Sequence, residues 1–219
     1  TEPQAGSDLG LVATKAVRRK DGSYAVRGTK IFITYGAHDL TENIIHLVLA
    51  RTHCAPAGPK GLSLFIVPQT LVKSDGTLGA ANAVKCVSIE HKLGVRASPT
   101  AVLEYEDATG FLIGNENCGL EYMFIMMNAA RFTVGVQGVA TSERAYQRAL
   151  AYAQGRVQSR PVNGQTKDAV PIIEHPDVRR MLMRMRSLTE GGRAMAAATA
   201  GLLDISHYRT DRVTNALAE

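Results

Sequence analysis

The residues best suited to chemistry lie in two short segments near the start of the chain. Thr1–Asp8 (TEPQAGSD) joins a threonine and a rigid proline to a Gly-Ser turn, which can present backbone N–H groups and a hydroxyl to a ligand. In Lys30–Gly36 (KIFITYG), Phe32 and Thr34 share one face of a strand. A ring beside a hydroxyl suits a planar heterocycle. However, any strand favours aromatic and β-branched residues, so the spacing alone indicates no more than a strand.

Two further groups of polar residues lie in the second half of the chain. Arg131 belongs to a helical stripe that is expected to be buried, formed with Leu120, Met123, Phe124, Met127 and Val134. A buried guanidinium needs an anionic or carbonyl partner, or else its stem reaches to the surface. Asn128, three residues earlier, could face the same ligand. Arg156 and Gln158 lie in a polar loop, where an arginine either holds phosphate or is simply solvated.

Composition limits the class of protein. The 219 residues suffice for one large domain or two small ones, and the 45% hydrophobic and 21% charged fractions are those of an ordinary globular protein. The net charge of +5 is explained by an ordinary solvated surface. Alternatively, it attracts a polyanionic ligand, for which a nucleotide cofactor is favoured over nucleic acid. The sequence has no apolar stretch of about 20 residues, so no membrane span is predicted.

Several classes of site find no support in the sequence. The cysteines at positions 54, 86 and 118 are odd in number and widely spaced, which argues against a disulfide scaffold or a zinc site. The six histidines form no recognisable metal-ligand set. There is no P-loop, no G-x-G-x-x-G after a strand and no G-x-S-x-G elbow. Any cofactor is therefore expected to bind outside a Rossmann unit.

The pattern of apolar residues divides the chain into two halves. Strands are predicted at Leu11–Val17, Tyr24–Thr34, Ile44–Ala50, Leu62–Pro68, Val84–Glu90 and Ala101–Tyr105. Asp21-Gly22 indicates a hairpin between the first two strands. Helical spacing follows Asn115, and a second helix is predicted from Pro176, with Gly191-Gly192 marking either a weak point or a close helix crossing. The predicted fold class is α+β, with an antiparallel β-barrel or sandwich over residues 1–114 and long antiparallel helices of an incomplete helical bundle over 115–219.

Taken in order, these segments resemble the acyl-CoA dehydrogenase family. Five segments carry the resemblance: Thr1–Asp8 (family motif T-E-P-x-A-G-S-D), Lys30–Gly36 (K-x-W-I-T-x-G), Gly110–Glu121 (the loop entering the C-terminal helices), Asn128–Arg131 and Arg156–Gln158 (R-x-[TQ]). Residues 38–51 and 91–94 look most similar to bacterial members of the family such as 3-methylmercaptopropionyl-CoA dehydrogenase.

The resemblance implies that FAD lies between a middle β-barrel and the C-terminal helices. The implied cofactor-binding residues are Thr1, Gly6, Ser7, Phe32, Ile33, Thr34, Arg156 and Gln158. Ser7, Asn128 and Arg131 would contact the acyl-CoA substrate. Phe32 replaces the usual tryptophan packed on the flavin, and Thr34 would hydrogen-bond near flavin N5. Arg156 and Gln158 would hold the FAD of a neighbouring subunit, which implies a homodimer or homotetramer.

The family reaction is the α,β-dehydrogenation of an acyl-CoA thioester, in which a glutamate removes the α-proton and a hydride passes to flavin N5. Some members carry that glutamate immediately before the arginine matched by Arg131, but here the residue is Ala130. The base is therefore expected beyond Glu219. The chain is expected to be an inactive fragment, the middle domain with the first C-terminal helices, of a parent enzyme that passes electrons to an electron-transfer flavoprotein or a similar acceptor.

Other interpretations stay open at this point. The parent is expected to be cytoplasmic and of bacterial type, although a mitochondrial location is not excluded by the sequence. Within the same fold, an acyl-CoA oxidase would differ in how readily O2 reaches the reduced flavin. An alkylation-response flavoprotein that binds DNA would fit the mildly basic charge. A non-catalytic β-barrel interaction module would carry no flavin at all.

Overall fold

Eight strands precede two long helices in residues 1–208, which the computed structural model describes apart from the His207 side chain. The strands are β1 (Lys15–Arg18), β2 (Tyr24–Thr34), β3 (Ile45–Ala50), β4 (Ser63–Pro68), β5 (Thr70–Val72), β6 (Leu78–Ala81), β7 (Val84–Ile89) and β8 (Thr100–Ile113). The helices are α1 (Gly119–Gly155) and α2 (Pro176–Tyr208). Two compact units result: Thr1–Met126 and a second that begins at Met127.

The main sheet is antiparallel, with the strand order β1-β2-β8-β4-β3, and β7 pairs with β8 beside this path. A bridge between Lys15 and Arg51 joins the two ends of the order. The Ala16 N–H donates to the Arg51 carbonyl, and the Arg51 N–H donates to the Thr14 carbonyl, each at 2.8 Å. The sheet therefore closes on itself. The prediction of an α+β chain with an antiparallel β domain and long helices is confirmed.

The core of the first unit lies inside this sheet. Val26, Phe65, Val67, Leu103 and Tyr105 belong to one buried cluster drawn from β2, β4 and β8. Burial of each large apolar side chain contributes roughly 1.5–3 kcal/mol relative to exposure. The sheet is therefore a rigid support for the loops and strand ends around it.

Two hairpin turns in this unit have the same structure. In the first, Asp21 accepts a hydrogen bond from the Ser23 N–H, and Gly22 has a φ of 85°. In the second, Asp75 accepts from the Thr77 N–H, and Gly76 has a φ of 83°. The hairpin predicted at Asp21-Gly22 is confirmed, whereas the β5–β6 hairpin around Asp75-Gly76 was not predicted from the sequence.

The predicted strand Leu11–Val17 is shorter than expected, since β1 begins only at Lys15. Residues Leu9–Leu11 form a 3-10 turn capped by Asp8. The N–H groups of Ala13 and Thr14 bond to the carboxylate of Glu2 instead of joining the sheet. A side chain thus takes the donors that a longer β1 would need.

In the second unit, α2 continues without a break through Gly191-Gly192, so this pair is not a weak point. A Cβ at Gly192 would lie 3.2 Å from Cγ2 of Val139, which makes it the site of a close helix approach. Arg193 also forms an ion pair with Glu143 at 2.8 Å. Over the part of the chain that the structure describes, neither α1 nor α2 is long and apolar enough to cross a membrane.

Candidate functional site

A cavity of about 430 Å³ opens in the first unit beside the end of β2. Three residues predicted to bind a cofactor line it: Thr1, Ile33 and Thr34. The other lining residues are mostly apolar and come from the segment before β1, the end of β2 and the turn after it, β3 and the residue before it, β8 and the start of α1, namely Leu9, Val12, Lys30, Tyr35, Gly36, Ile44, Ile45, His46, Leu47, Val48, Leu49, Tyr105, Met123 and Met126. Apolar walls with a few polar groups are typical of small-molecule sites.

A β-bulge near the end of β2 presents Phe32 to the surface. The pairing of β2 with β8 shifts register between Lys30 and Ile33. Phe32 has a φ of 59°, which is uncommon for a bulky residue, and its side chain is 60% exposed. Thr34 is exposed as well, whereas Ile33 packs against the core. Backbone strain of this kind is concentrated at functional sites.

The start of the chain forms hydrogen bonds with the backbone of the bulge. The Ile31 N–H donates to the Thr1 carbonyl at 3.0 Å. The Thr1 hydroxyl donates to the Ile31 carbonyl. Thr1 therefore lines the cavity and also fixes the residue immediately before Phe32.

Glu2 is almost completely buried, with 3% of its surface exposed, and its carboxylate is saturated with donors. It accepts from Gln4 Nε2 at 2.6 Å, from the Ala13 N–H at 2.8 Å, from the Thr14 N–H at 3.1 Å and from the Thr14 hydroxyl. The Lys30 ammonium completes the set at 2.7 Å from Oε1. Burial alone would raise the pKa of Glu2, but the hydrogen bonds from Lys30, Thr14 and Ala13 lower that pKa to about 2.

Lys30 is buried too, and it is held between two acceptors. Its Nζ donates to Glu2 and, at 2.8 Å, to the carbonyl of Leu49 in β3. No role is predicted for Glu2 or Lys30 from the sequence, yet the sequence carries a signal for the buried lysine. Tyr24, Val26 and Lys30 are all buried and lie an even number of residues apart in β2, so strand periodicity places the lysine on the core face. A buried ammonium requires an anionic partner.

His46 is a further buried polar residue for which the sequence predicts no role. It lies in β3 on the same face as Val48 and Ala50, and only 8% of its surface is exposed. Its Nε2 lies 3.0 Å from the Gly36 carbonyl, and its ring meets that of Tyr105 edge-on. Its Nδ1 is buried and has no hydrogen-bond partner among the described residues. Burial lowers the pKa of the His46 imidazole.

The Gly-Ser turn remains open to solvent. Gly6 and Ser7 are exposed, and a Cβ built on Gly6 would meet nothing within 4 Å. Neither residue is among those lining the cavity. Asp8 has a structural role, because its carboxylate accepts from the Gly10 N–H at 2.9 Å. Packing therefore does not account for a glycine at position 6.

Arg131 does not lie on a buried face, contrary to the expectation from the helical stripe. Arg131 and Asn128 are both exposed, and Arg131 Nη1 donates to Asn128 Oδ1 at 3.3 Å. The side chain of Val134, on the same stripe, is 65% exposed. The helical period correctly places these residues on one face of α1, but the period cannot tell what packs on that face.

Arg156 and Gln158 lie side by side after α1. Nη2 of Arg156 donates to Oε1 of Gln158 at 3.2 Å, and both side chains are exposed. Their backbone is ordered by a short pairing with residues 170–172, in which the Ile172 N–H donates to the Arg156 carbonyl at 2.8 Å. His175 Nε2 lies 2.8 Å from the Gln158 carbonyl. The loop thus presents the guanidinium of Arg156 on a hydrogen-bonded backbone.

Within residues 1–208, the lining of the cavity provides no carboxylate for proton abstraction. Of the described residues that line it, none is an aspartate or a glutamate. Glu2, close by, is already saturated with donors. Ala130 occupies the position before Arg131. The described part of the cavity wall therefore carries no carboxylate that could take up a proton.

Comparison with known proteins places the chain in a family. Residues 1–108 match the family described as "Acyl-CoA dehydrogenase, middle domain", and residues 117–218 match "Acyl-CoA dehydrogenase, C-terminal domain". The chain is 66% identical over 208 residues to the 3-methylmercaptopropionyl-CoA dehydrogenase of Ruegeria pomeroyi, which covers 95% of this chain and 35% of that protein. The chain thus spans about a third of the length of this relative, which is one of the bacterial kind that the sequence indicated.

Solved structures agree with this placement. The structure of Caenorhabditis elegans ACDH-11 in complex with C11-CoA aligns with a TM-score of 0.81 and 25% identity, covering 100% of this chain and 35% of that one. The acyl-CoA dehydrogenase of Bacillus anthracis complexed with FAD aligns with a TM-score of 0.75 and 25% identity, covering 98% of this chain and 33% of that one. The chain belongs to the acyl-CoA dehydrogenase family, as the order of its sequence motifs predicts.

Proposed function

We propose that this chain provides the flavin-binding wall of an FAD-dependent acyl-CoA dehydrogenase. The observation that carries the proposal is the exposed ring of Phe32, held at a strained φ of 59° beside a cavity lined by Thr1 and Thr34. A bulky residue adopts this conformation only when its surroundings impose it. Phe32 itself does not line the cavity, but it immediately precedes Ile33 and Thr34, which do.

The chemistry of these groups fits an isoalloxazine ring. Phe32 offers a flat apolar surface on which a ring system can stack, and the hydroxyls of Thr1 and Thr34 can accept or donate hydrogen bonds at its polar edge. The Thr1 hydroxyl already donates to Ile31, so its lone pairs remain for a ligand donor. Gly6 is open on its Cβ side, which leaves room for backbone to approach a phosphate. In this proposal Ile33, whose side chain packs on the core, contributes its backbone.

Residues of the second unit complete the proposed binding groups. Asn128 and Arg131, in contact at 3.3 Å, are proposed to bind the acyl-CoA together with Ser7. Arg156 and Gln158 are proposed to hold the FAD of a neighbouring subunit in a homodimer or homotetramer, since an ordered, exposed guanidinium suits a pyrophosphate. We propose that residues 1–114 form the β domain and that the helical domain begins at residue 115.

The proposed reaction removes hydrogen from the α and β carbons of an acyl-CoA thioester. FAD, when bound, supplies the hydride acceptor. The role of this chain is to orient the substrate and the ring against each other and to exclude water from the apolar cavity. Because no carboxylate lines the cavity and Ala130 stands before Arg131, the catalytic base is proposed to come from outside these 219 residues. The electron acceptor is proposed to be an electron-transfer flavoprotein.

Anaerobic titration of the whole protein with a panel of acyl-CoAs tests the proposal. We expect the flavin absorbance to bleach with at least one acyl-CoA, and the 219-residue chain alone to show no turnover. Rapid oxygen consumption by the reduced protein would assign it to the oxidases instead. Salt-dependent DNA binding without bleaching would favour a DNA-binding flavoprotein. A whole protein without a flavin spectrum would overturn the proposal.

A further inference from the structure

Thr1 and Glu2 lie alongside Ile31 and Lys30 in antiparallel order. Thr1 pairs with Ile31 through the backbone bond at 3.0 Å and through its hydroxyl. Glu2 pairs with Lys30 through the ion pair at 2.7 Å. Thr1 and Glu2 are neighbours in the chain, and so are their partners Ile31 and Lys30. The position of Thr1 on the bulge therefore depends on the anchoring of Glu2.

Breaking the anchor is costly because both of its charges are buried and paired. Glu2 accepts five hydrogen bonds, and Lys30 links it onward to the Leu49 carbonyl in β3. Removal of one partner would leave the other as an unpaired charge in a site with almost no access to water, which is strongly unfavourable. The pair thus ties the start of the chain to β2 and β3 at once.

The bulge needs this anchor. Ile31 lies within the register shift between Lys30 and Ile33 and has no paired residue in β8, and Thr1 provides the acceptor for its N–H. Without that acceptor, Ile31 is free to leave the bulged conformation. Phe32, the next residue, then loses the constraint that holds it at a φ of 59°.

We infer that Glu2 and Lys30 act as a positioning pair that sets the conformation of the Phe32 bulge and, through it, the wall of the ligand cavity. Neither residue is a catalytic residue in this inference. Glu2 acts through Thr1, and Lys30 acts through Glu2 and Leu49. The link from the bulge to the flavin rests on the proposed function, whereas the link from the ion pair to the bulge does not.

Amide hydrogen exchange followed by NMR in the 219-residue chain tests the first link. In Glu2→Gln and in Lys30→Met we expect the Ile31 amide to exchange at least about tenfold faster, which is the scale of a lost hydrogen bond to a charged group. The double variant, which leaves no unpaired charge, should exchange more slowly than either single variant. The Asn82 amide, bonded to the Gln69 carbonyl at 2.8 Å, serves as the internal reference.

The exposed ion pair between Lys85 and Glu106, also at 2.8 Å, provides the matched control. Lys85→Met removes the same type of charge from the same unit and should leave Ile31 exchange unchanged. Unchanged exchange in both single variants at positions 2 and 30 would overturn the inference. If either single variant fails to fold, the double variant still decides. Ile31 exchange at the wild-type rate in the double variant would overturn the inference.

Titration of the whole protein with FAD tests the second link. We expect the FAD dissociation constant to rise in the order of the Ile31 exchange rates, with altered absorbance of the bound flavin. Faster exchange with wild-type FAD affinity and spectrum would show that the bulge does not shape the flavin site. If the wild-type protein binds no FAD, the proposed function fails, but the exchange measurement still decides whether the pair positions the bulge.

Discussion

His46 Nε2 lies 3.0 Å from the carbonyl oxygen of Gly36, and this contact joins β3 to the turn that follows Thr34. Because a carbonyl can only accept, the ring hydrogen is assigned to Nε2, and Nδ1 is then a bare acceptor. That atom is buried and has no hydrogen-bond partner among the described residues. Protonation of His46 would place a charge beside the ring of Tyr105 in a largely apolar wall.

This geometry predicts a loss of stability on mild acidification. Burial lowers the pKa of His46 below its usual value of 6.5, so the unfolded chain takes up the proton first. The free energy of unfolding should therefore be fully expressed above pH 6.5 and fall below it, by no more than about 1.4 kcal/mol per pH unit for one proton. Urea unfolding of the wild type at pH 8 and pH 5 measures this fall.

Two variants check the assignment to His46. His46→Phe removes both the titration and the contact with Gly36, whereas His46→Gln removes the titration and keeps a donor. Both should show a shallower decline of unfolding free energy between pH 8 and pH 5, and His46→Gln should be the more stable of the two. Equal slopes in wild type and both variants would show that His46 does not titrate in this range.

The lowered pKa of Glu2 predicts a second, separate loss of unfolding free energy at lower pH. Its pKa is about 2 in the folded chain against an ordinary value of 4.5, so its contribution is present above pH 4.5 and disappears as the pH falls towards 2. A shift of that size corresponds to about 3 kcal/mol at most. Glu2→Gln should lower stability at pH 7 and make the decline of the unfolding free energy between pH 4.5 and pH 2 shallower. A variant whose acid profile matches the wild type would contradict this.

The hairpin turn that was predicted from the sequence depends only on residues that are neighbours in the chain. The turn at Asp21-Gly22 was recognisable because an Asp-Gly pair sets the hairpin geometry by itself. Asp75-Gly76 carried the same signal but went unused, since strands as short as Thr70–Val72 and Leu78–Ala81 show no clear alternation. Local turn chemistry thus located one hairpin and could have located the other.

The anchoring of the candidate site could not be predicted in the same way. The pairing of Thr1 and Glu2 with Ile31 and Lys30 depends on a bulge, and one inserted residue changes which side chains face inward. The strain at Phe32 is likewise a property of backbone geometry that residue type does not disclose. For Arg131, the helical period gave the face of α1, but burial depends on neighbours that the period does not specify.

Glycines at positions 6 and 61 offer a matched test of packing against binding. A Cβ at Gly61 would lie 1.8 Å from the Pro56 carbonyl oxygen and 2.7 Å from Nη1 of Arg51, whereas a Cβ at Gly6 meets nothing within 4 Å. Gly61→Ala should therefore lower the unfolding free energy by about 3 kcal/mol or more, and Gly6→Ala should change it little.

The Gly6→Ala variant, which should be as stable as the wild type, is expected to show the weaker FAD binding. If Gly6 approaches a cofactor phosphate as proposed, Gly6→Ala should weaken FAD binding by the whole protein at unchanged thermal stability. Thermal unfolding and FAD titration of the same preparations measure both effects. A Gly6→Ala protein that binds FAD as the wild type does would remove Gly6 from the site, and a stable Gly61→Ala protein would contradict the close approach to Pro56.

Substitutions at Phe32 distinguish the effect of backbone strain from the effect of ligand contact. At ordinary strand positions, glycine is less stable than alanine by roughly 0.5–1 kcal/mol. At a φ of 59°, alanine carries the left-handed penalty of roughly 1–2 kcal/mol that glycine avoids, so the order should reverse. We therefore expect Phe32→Gly to be more stable than Phe32→Ala. Neither should lose much from burial, because most of the ring is already exposed.

Ile33→Ala provides the contrast, since Ile33 packs against the core and its truncation should cost about 2 kcal/mol or more. In FAD titrations of the whole protein, both Phe32 variants should bind more weakly than the wild type, because both lack the stacking surface. Weak FAD binding in a Phe32→Gly protein of wild-type stability would identify the ring as a ligand contact and not a structural element. Alanine more stable than glycine would refute the strained bulge, and wild-type FAD affinity in both variants would take Phe32 out of the flavin wall.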